Sequence, residues 1–346
     1  MKALVYTRPL GVEIQERPYP QLPQGGDHVV IRIAAAGICG SDMHAFHGKD
    51  PRRQPGLVLG HELSGVIVES QSPRFTAGQR VTANPLITCG QCDYCREGRD
   101  NLCSDRHMIG MDWPGAFAEY MAIPAASVVA LPDGLSLQDA AITEPAATVV
   151  HALRLTQRAM PTPLADARVL VIGGGAIGLL TVLVLRAWGC RQITLAETNP
   201  LRANTAQQYT GCECVNPIEQ AIEESSRQVV IDAVGSAITR KLAIKTVKPG
   251  GAVMHIGLQD WDSEIDMRKI TLGEITLLGT YTYTMEDFHL TLSMLEQGAF
   301  GTLGWIEQRE LLDGQRAFDD LEFQRVSSAK ILLIPLTDPE QILNRS

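Results

Sequence analysis

Arg168-Val169-Leu170-Val171-Ile172-Gly173-Gly174-Gly175-Ala176-Ile177-Gly178 decides the fold of one half of this 346-residue chain. The five residues from Arg168 read as a compact apolar strand, the glycines as a turn, and the run through Trp188 as a helix. G-x-G-x-x-G between a strand and a helix is a dinucleotide-binding pattern. Gly173 permits the tight turn, Gly175 lets a pyrophosphate approach the backbone, and Gly178 lets helix and strand pack closely. Ala176 and Ile177 open the helix, whose unpaired N–H groups would meet the phosphates. Glu197 ends the next strand candidate, 19 residues after Gly178, where an acid would meet the adenosine ribose hydroxyls. Taken singly, the glycines could form a flexible turn and Glu197 could be a surface acid. Strand, turn, helix, strand and acid in succession favour the dinucleotide. A carboxylate at the ribose favours NAD over its 2′-phosphorylated relative. Arg202, five residues on, could pair with such a phosphate, stack near the adenine or lie in solvent.

Outward from this stretch, the alternation continues. A polar helical segment runs from Pro200 to about Tyr209, and residues 229–231 and 252–256 continue the strand series. Strands alternating with helices at this spacing predict a parallel sheet covered on both faces. The uncharged run of residues 169–185 is too short for a membrane span, and its glycines have a better use. Residues 1 to about 145 differ: short β-rich stretches at 29–33, 64–68 and 118–121 are punctuated by glycine and proline. The last sixty residues are mixed and end in a strand candidate at 330–334. The expected class is α/β, with a doubly wound domain over residues 149–285. It is inserted into a β-rich domain made of residues 1–148 and 286–346.

Composition narrows the function. Hydrophobic residues at 45% provide a sizeable core, and 39 acidic against 30 basic residues leave a net charge of −9, which disfavours nucleic acid. Arg8 interrupts any apolar run at the amino end, so no signal peptide is expected, and a cytoplasmic protein without membrane attachment is. With no export signal, the eight cysteines read better as metal ligands than as disulfides. Cys89, Cys92, Cys95 and Cys103 form C-x2-C-x2-C-x7-C, able to close a tetrahedral shell of thiolates in a lobe of about residues 86–106. Iron–sulfur ligation and a zinc-finger-like DNA reader are the rivals; zinc fits the spacing and the acidic balance better.

A more dispersed set comprises Cys39 in Gly37-Ile38-Cys39-Gly40-Ser41-Asp42-Met43-His44, His61 and Glu62 in Gly60-His61-Glu62, and Glu144 in Thr143-Glu144-Pro145. Cysteine, histidine and carboxylate suit a zinc with an exchangeable position. Each also has a plain structural explanation, and no spacing rule brings them together.

With these residues in view, the chain resembles the zinc-dependent medium-chain dehydrogenase/reductase family over essentially its whole length. Glutamate before Pro145, where alcohol dehydrogenases proper carry a cysteine, resembles the sorbitol (polyol) dehydrogenase branch. The resemblance implies a Rossmann domain inserted into a GroES-like catalytic domain, with two Zn2+ and NAD per chain. It implies Cys39, His61 and Glu62 as ligands of a catalytic zinc, with Glu144 binding directly or through water. Ser41 and His44 would pass the alcohol proton to solvent, and Lys330 would lie near the pyrophosphate. A dimer or tetramer is expected. The implied reaction is oxidation of a secondary alcohol (a polyol, sugar alcohol or sugar acid) to a ketone. Threonine or 2,3-butanediol oxidation is the alternative, and a non-catalytic dinucleotide sensor a further one. Gln71 stands where the family usually has glycine, Ala45 where sorbitol dehydrogenases have tyrosine, and residues 279–283 lack their substrate-contacting arginine. The pocket therefore differs from that of a sorbitol enzyme. Lys49, Arg52 and Arg53 read as a solvated loop near its mouth, with an anion subsite as the alternative.

Overall fold

The structure, a computed structural model, describes residues 1–335. The first part runs β1 (Lys2–Arg8), β2 (Gly11–Glu16), β3 (His28–Gly37), α1 (Gly40–Phe46), β4 (Glu62–Ser70), β5 (Arg80–Ala83), β6 (Leu86–Ile87), α2 (Asp93–Arg96), β7 (His107–Met108), β8 (Tyr120–Pro124), β9 (Val128–Ala130) and α3 (Leu137–Ala140). The helix α4 (Thr143–Ala159) leads into β10 (Arg168–Ile172), α5 (Ala176–Ala187), β11 (Gln192–Ala196), α6 (Pro200–Thr210), β12 (Glu213–Val215), β13 (Arg227–Asp232), α7 (Ala237–Thr246), β14 (Val247–His255), α8 (Met267–Leu272) and β15 (Thr276–Gly279). Then come α9 (Met285–Glu296), β16 (Ile306–Glu310), α10 (Gly314–Glu322) and β17 (Lys330–Ile334).

Strands β10 to β15 form one parallel sheet in the order β12-β11-β10-β13-β14-β15. The order reverses between β10 and β13, the switch point where such sheets take a dinucleotide. Alternation along β10 explains its unbroken apolar run: Val169 and Val171 enter one buried cluster, Leu170 and Ile172 the other. Both faces are covered. The run of residues 169–185 is divided between β10 and α5, and no helix among the described residues is long and apolar enough to cross a membrane.

The other large sheet has the order β16-β17-β3-β4-β5-β9, with β8 also pairing β3. Its register sets the site. Gly37 lies opposite Glu62 across β3 and β4, and opposite Leu332 across β3 and β17. A strand from the carboxyl end thus lies beside the one that delivers Cys39.

The expected domain limits need correction. Position 148/149 falls inside α4, a continuous helix of 17 residues. Phe288, Leu292 and Leu295 of α9 share a core with Val169 and Leu180, so the chain does not return to the β-rich domain at 286. Apolar packing between α4, α5 and α9 holds all three with the parallel sheet.

Candidate active site

Cys39 caps the amino end of α1: its sulfur accepts from Ser41 N at 3.5 Å, while its own N–H donates to Asp42 Oδ2 at 3.0 Å. The donor atoms of Cys39, His61 and Glu62 lie within 4.8 Å of one another. His61 Nδ1 faces Asp42 Oδ1 at 3.6 Å, the way a carboxylate orients a metal-ligating imidazole. Burial alone would raise the Asp42 carboxyl, but His61, Arg53 and the Cys39 amide outweigh it and hold it low. Glu62 is fully buried; Oε1 accepts from Lys330 Nζ at 2.6 Å, and Oε2 has no hydrogen-bond partner. A side chain at Gly37 would collide with that free Oε2. A buried carboxylate oxygen without a partner, beside a thiol and an imidazole, fits a metal ion. Glu144, on the first turn of α4, stands outside the three-residue set. Burial, reinforced by Glu62 and opposed by His61 and Lys330, pushes its carboxyl up to about 7.

Cys89, Cys92, Cys95 and Cys103 come together around α2. Sulfur–sulfur separations of 3.5 Å (Cys89–Cys103), 3.6 Å (Cys92–Cys95) and 4.0 Å (Cys89–Cys95) bracket the edge of about 3.8 Å of a tetrahedron with Zn–S bonds near 2.3 Å. Backbone N–H groups of Cys89 and Cys92 point at Cys103 Sγ and Cys89 Sγ, each at 3.4 Å. The shell is complete without water.

The glycine turn has the geometry its spacing predicts. Gly173 has φ +100°, and its N–H donates to Ala196 O at 2.8 Å. At Gly175 a side chain would meet nothing within 4 Å, so that face of the α5 amino end is open. At Gly178 one would collide with the Gly173 carbonyl. Ala176 and Ile177 form the first turn of α5. Glu197 closes the turn from the next strand, Oε2 accepting from Gly174 N at 2.6 Å and Oε1 from Asn199 N at 2.7 Å. Arg202 lies on the first turn of α6 with its Nε buried and unpartnered.

Two family models match the chain: an alcohol dehydrogenase GroES-like domain over residues 25–133 and a zinc-binding dehydrogenase domain over residues 176–297. The chain belongs to the zinc-dependent medium-chain dehydrogenase/reductase family. It is an oxidoreductase of that family, with the GroES-like and Rossmann-type domains expected. It is 32% identical to an L-threonine 3-dehydrogenase of Chelativorans sp. (strain BNC1), over 91% of this chain and 94% of that one. It is 31% identical to the L-galactonate-5-dehydrogenase of Escherichia coli (strain K12), over 86% and 88% respectively. Among solved structures it is similar to a zinc-binding dehydrogenase from Sinorhizobium meliloti 1021 bound to NADP, with TM-score 0.85, 28% identity, and coverage of 96% and 99%.

Within this dehydrogenase, three side chains have roles that sequence reading did not give them. Lys330 is 3% exposed, and its ammonium donates to Glu62 and to Ile38 O at 2.8 Å. The contact arises because β17 lies beside β3, which sets the ammonium against the Glu62 carboxylate. Arg53 is neither solvated nor free for an anion: it is buried and bound to Asp50 Oδ2 at 2.7 Å. Arg52 is exposed but also pairs with Asp50, at 2.9 Å, whereas Lys49 is exposed. Tyr283 is fully buried against Glu144, and burial together with that carboxylate raises its phenol well above the ordinary value. Residues 279–283 were notable in the sequence only for a missing arginine. Asp42 carried a detectable signal, since an acid three residues after a helix cap is a capping box.

Proposed function

We propose that the protein oxidises a secondary alcohol bearing further hydroxyls to a ketone, with NAD as hydride acceptor. The alcohol class is a polyol, sugar alcohol or sugar acid. The observation that carries this reading is the mixed Cys39–His61–Glu62 set with its unpartnered carboxylate oxygen. When bound, zinc supplies Lewis acidity to the substrate oxygen and the nicotinamide accepts hydride. Cys39, His61 and Glu62 would hold the ion, with Glu144 as an additional carboxylate, while the four-cysteine lobe would hold a second, structural ion. Gly173, Gly175 and Gly178 would seat the pyrophosphate at α5, and Glu197 the adenosine ribose, with Arg202 beside it.

Ser41 would take the alcohol proton and His44 would release it. His44 is half-buried; burial, then His47 and the positive charges of Arg53 and Lys49, push its pKa down, which favours the neutral form that can accept a proton and pass it on to solvent. Among the described residues no hydrogen bond joins Ser41 to His44; a water or a ligand hydroxyl between them would complete the path. Thr280 Oγ1 and Thr282 Oγ1 are buried without partners in the segment between β15 and α9, which supports a ligand rich in hydroxyls. The pairing of Arg52 and Arg53 with Asp50 argues against a strong anion subsite on their loop.

Similarity to the threonine dehydrogenase favours a second reading, L-threonine or 2,3-butanediol as substrate. Absorbance of reduced nicotinamide, followed with neutral polyols, sugar acids, sugar phosphates, threonine and butanediol, separates the readings. The highest kcat/KM should fall among the polyols and sugar acids. Turnover confined to threonine overturns the substrate class. NAD binding with no turnover across the panel points to a sensor. A cytoplasmic homodimer or homotetramer is part of the same proposal. It is supported by the acidic balance and by the sheet edge β15, beside which Leu272 and Leu277 are exposed. Light scattering tests the subunit count.

A further inference from the structure

Arg53 is a buried cation whose hydrogen bonds the reaction as described leaves unused. Its side chain is 1% exposed. Nε donates to Gly110 O at 2.9 Å and Nη1 to Asp50 Oδ2 at 2.7 Å, so the guanidinium plane is held from two sides. Nη2 donates to Ser41 Oγ at 3.1 Å and lies 3.9 Å from Asp42 Oδ1, the oxygen that faces His61. Ordering a long side chain in this way has an entropic cost that simple packing would not require.

We propose that Arg53 is a positioning residue for the dehydrogenation, acting through the Ser41 hydroxyl. A serine hydroxyl has one proton to donate and two acceptor sites, whereas a guanidinium can only donate. Nη2 therefore fills one acceptor site and prevents the Ser41 O–H from turning toward Arg53. One acceptor site and one proton remain, which is what a one-in, one-out proton carrier needs. The alcohol proton enters at the free site of Oγ, and the proton already on Oγ leaves toward the His44 side. Arg53 itself gains and loses nothing. This rests on the reading of Ser41 as first proton acceptor.

The test is a double-mutant cycle with Ser41→Ala, Arg53→Lys and the pair, measuring kcat, KM for NAD, the solvent isotope effect on kcat and zinc content. Lysine keeps the charge but not the fork that reaches Asp50, Gly110 and Ser41 together. Arg53→Lys should lower kcat about tenfold, the scale of one charge-assisted hydrogen bond, and raise the isotope effect. KM for NAD and zinc content should hold. On the Ser41→Ala background the same change should cost less than about twofold, because contacting residues are not additive. Equal losses on both backgrounds overturn the proposal and leave the Ser41 reading standing. An unimpaired Ser41→Ala enzyme overturns both. Asp50→Asn, which loosens the guanidinium without removing it, is the second variant should Arg53→Lys not fold. Its smaller loss of kcat must likewise vanish without the Ser41 hydroxyl, and a loss that persists there overturns the proposal.

Discussion

Replacing Glu197 tests the cofactor reading most directly. Its two oxygens each take one backbone N–H, from Gly174 and Asn199, so the carboxylate is fixed before any cofactor arrives. Oε2 keeps a lone pair for a ribose hydroxyl, and at Oε1 a second hydroxyl would displace the long 3.4 Å bond from Thr198 Oγ1; a hydrogen bond to a charged acceptor contributes about 1.5–3 kcal/mol. A 2′-phosphate would replace one such bond with like charge. At about 4 Å and an effective dielectric near 20, one pair of unit charges repels by about 4 kcal/mol before solvent screening. A net penalty of about 3 kcal/mol after screening corresponds to a preference for NAD of about a hundredfold. Glu197→Ala removes the repulsion and also frees the Gly174 and Asn199 amides, so KM for NAD should rise about tenfold or more as the turn loosens. NADP should lose less, since Arg202 Nε is unpartnered on the adjacent turn of α6 and becomes available to the phosphate. Initial rates with both cofactors across a concentration series give the two kcat/KM values. Equal values for the wild-type enzyme, or an unchanged ratio in Glu197→Ala, would refute the reasoning.

Cys39→Ser should abolish turnover while metal analysis still finds the lobe's ion, because the two donor sets share no residue. Cys95→Ser should instead lower the thermal midpoint and release the lobe's ion on dialysis, since a closed thiolate shell couples metal binding to folding. In Gly178→Ala the new methyl collides with the Gly173 carbonyl, and overpacking of about 1–3 kcal/mol should raise KM for NAD several-fold or more with the fold retained by circular dichroism. Burial alone would raise the Asp287 carboxyl; His151 at 2.7 Å, Thr284 and Arg154 outweigh it and hold it well below the usual range. A lowered folded-state pKa gives stability that is present above the unfolded value near 4 and fades as pH falls through the folded one. Asp287→Asn should therefore be less stable than wild type in urea at pH 7, with the difference shrinking below about pH 4; a difference independent of pH refutes this.

Legibility followed the range of the interactions. The strand β10, its glycine turn and α5 could be read because everything that defines them lies within twenty residues, in period and in glycine placement. β12 and β15 escaped detection, having only three and four residues and no apolar run that stands out from their flanks. Cys39, His61 and Glu62 suit a zinc by residue type, but only the resemblance makes them ligands of one ion; what joins them is the β3–β4 register, a pairing between positions 25 residues apart. The Lys330–Glu62 contact is hidden from the sequence for the same reason: the two residues are 268 positions apart and meet only when β17 docks on β3. At Arg53, three basic residues in five predict a wet loop, and nothing local shows Asp50 turned inward to receive a guanidinium.

The buried charges around Cys39 make a single electrostatic problem. Asp42, Asp50, Glu62 and Glu144 are four carboxyl groups no more than 7% exposed, and the Cys39 thiol stands beside them. Arg53 and Lys330 are the buried cations that answer them, each committed to one carboxylate at 2.6–2.7 Å. Leaving the remaining negative charge unpaired away from water would have a large free-energy cost, and proteins relieve it by proton uptake or by binding a cation. Glu144 shows the first route, its carboxyl raised to about 7 by burial and by Glu62. Glu62 Oε2, buried and without a partner, marks where the second route is open. A divalent ion held by Cys39, His61 and Glu62 would correct the sign of that deficit at its centre, so zinc there would serve to keep these acidic groups together as well as to act on the substrate.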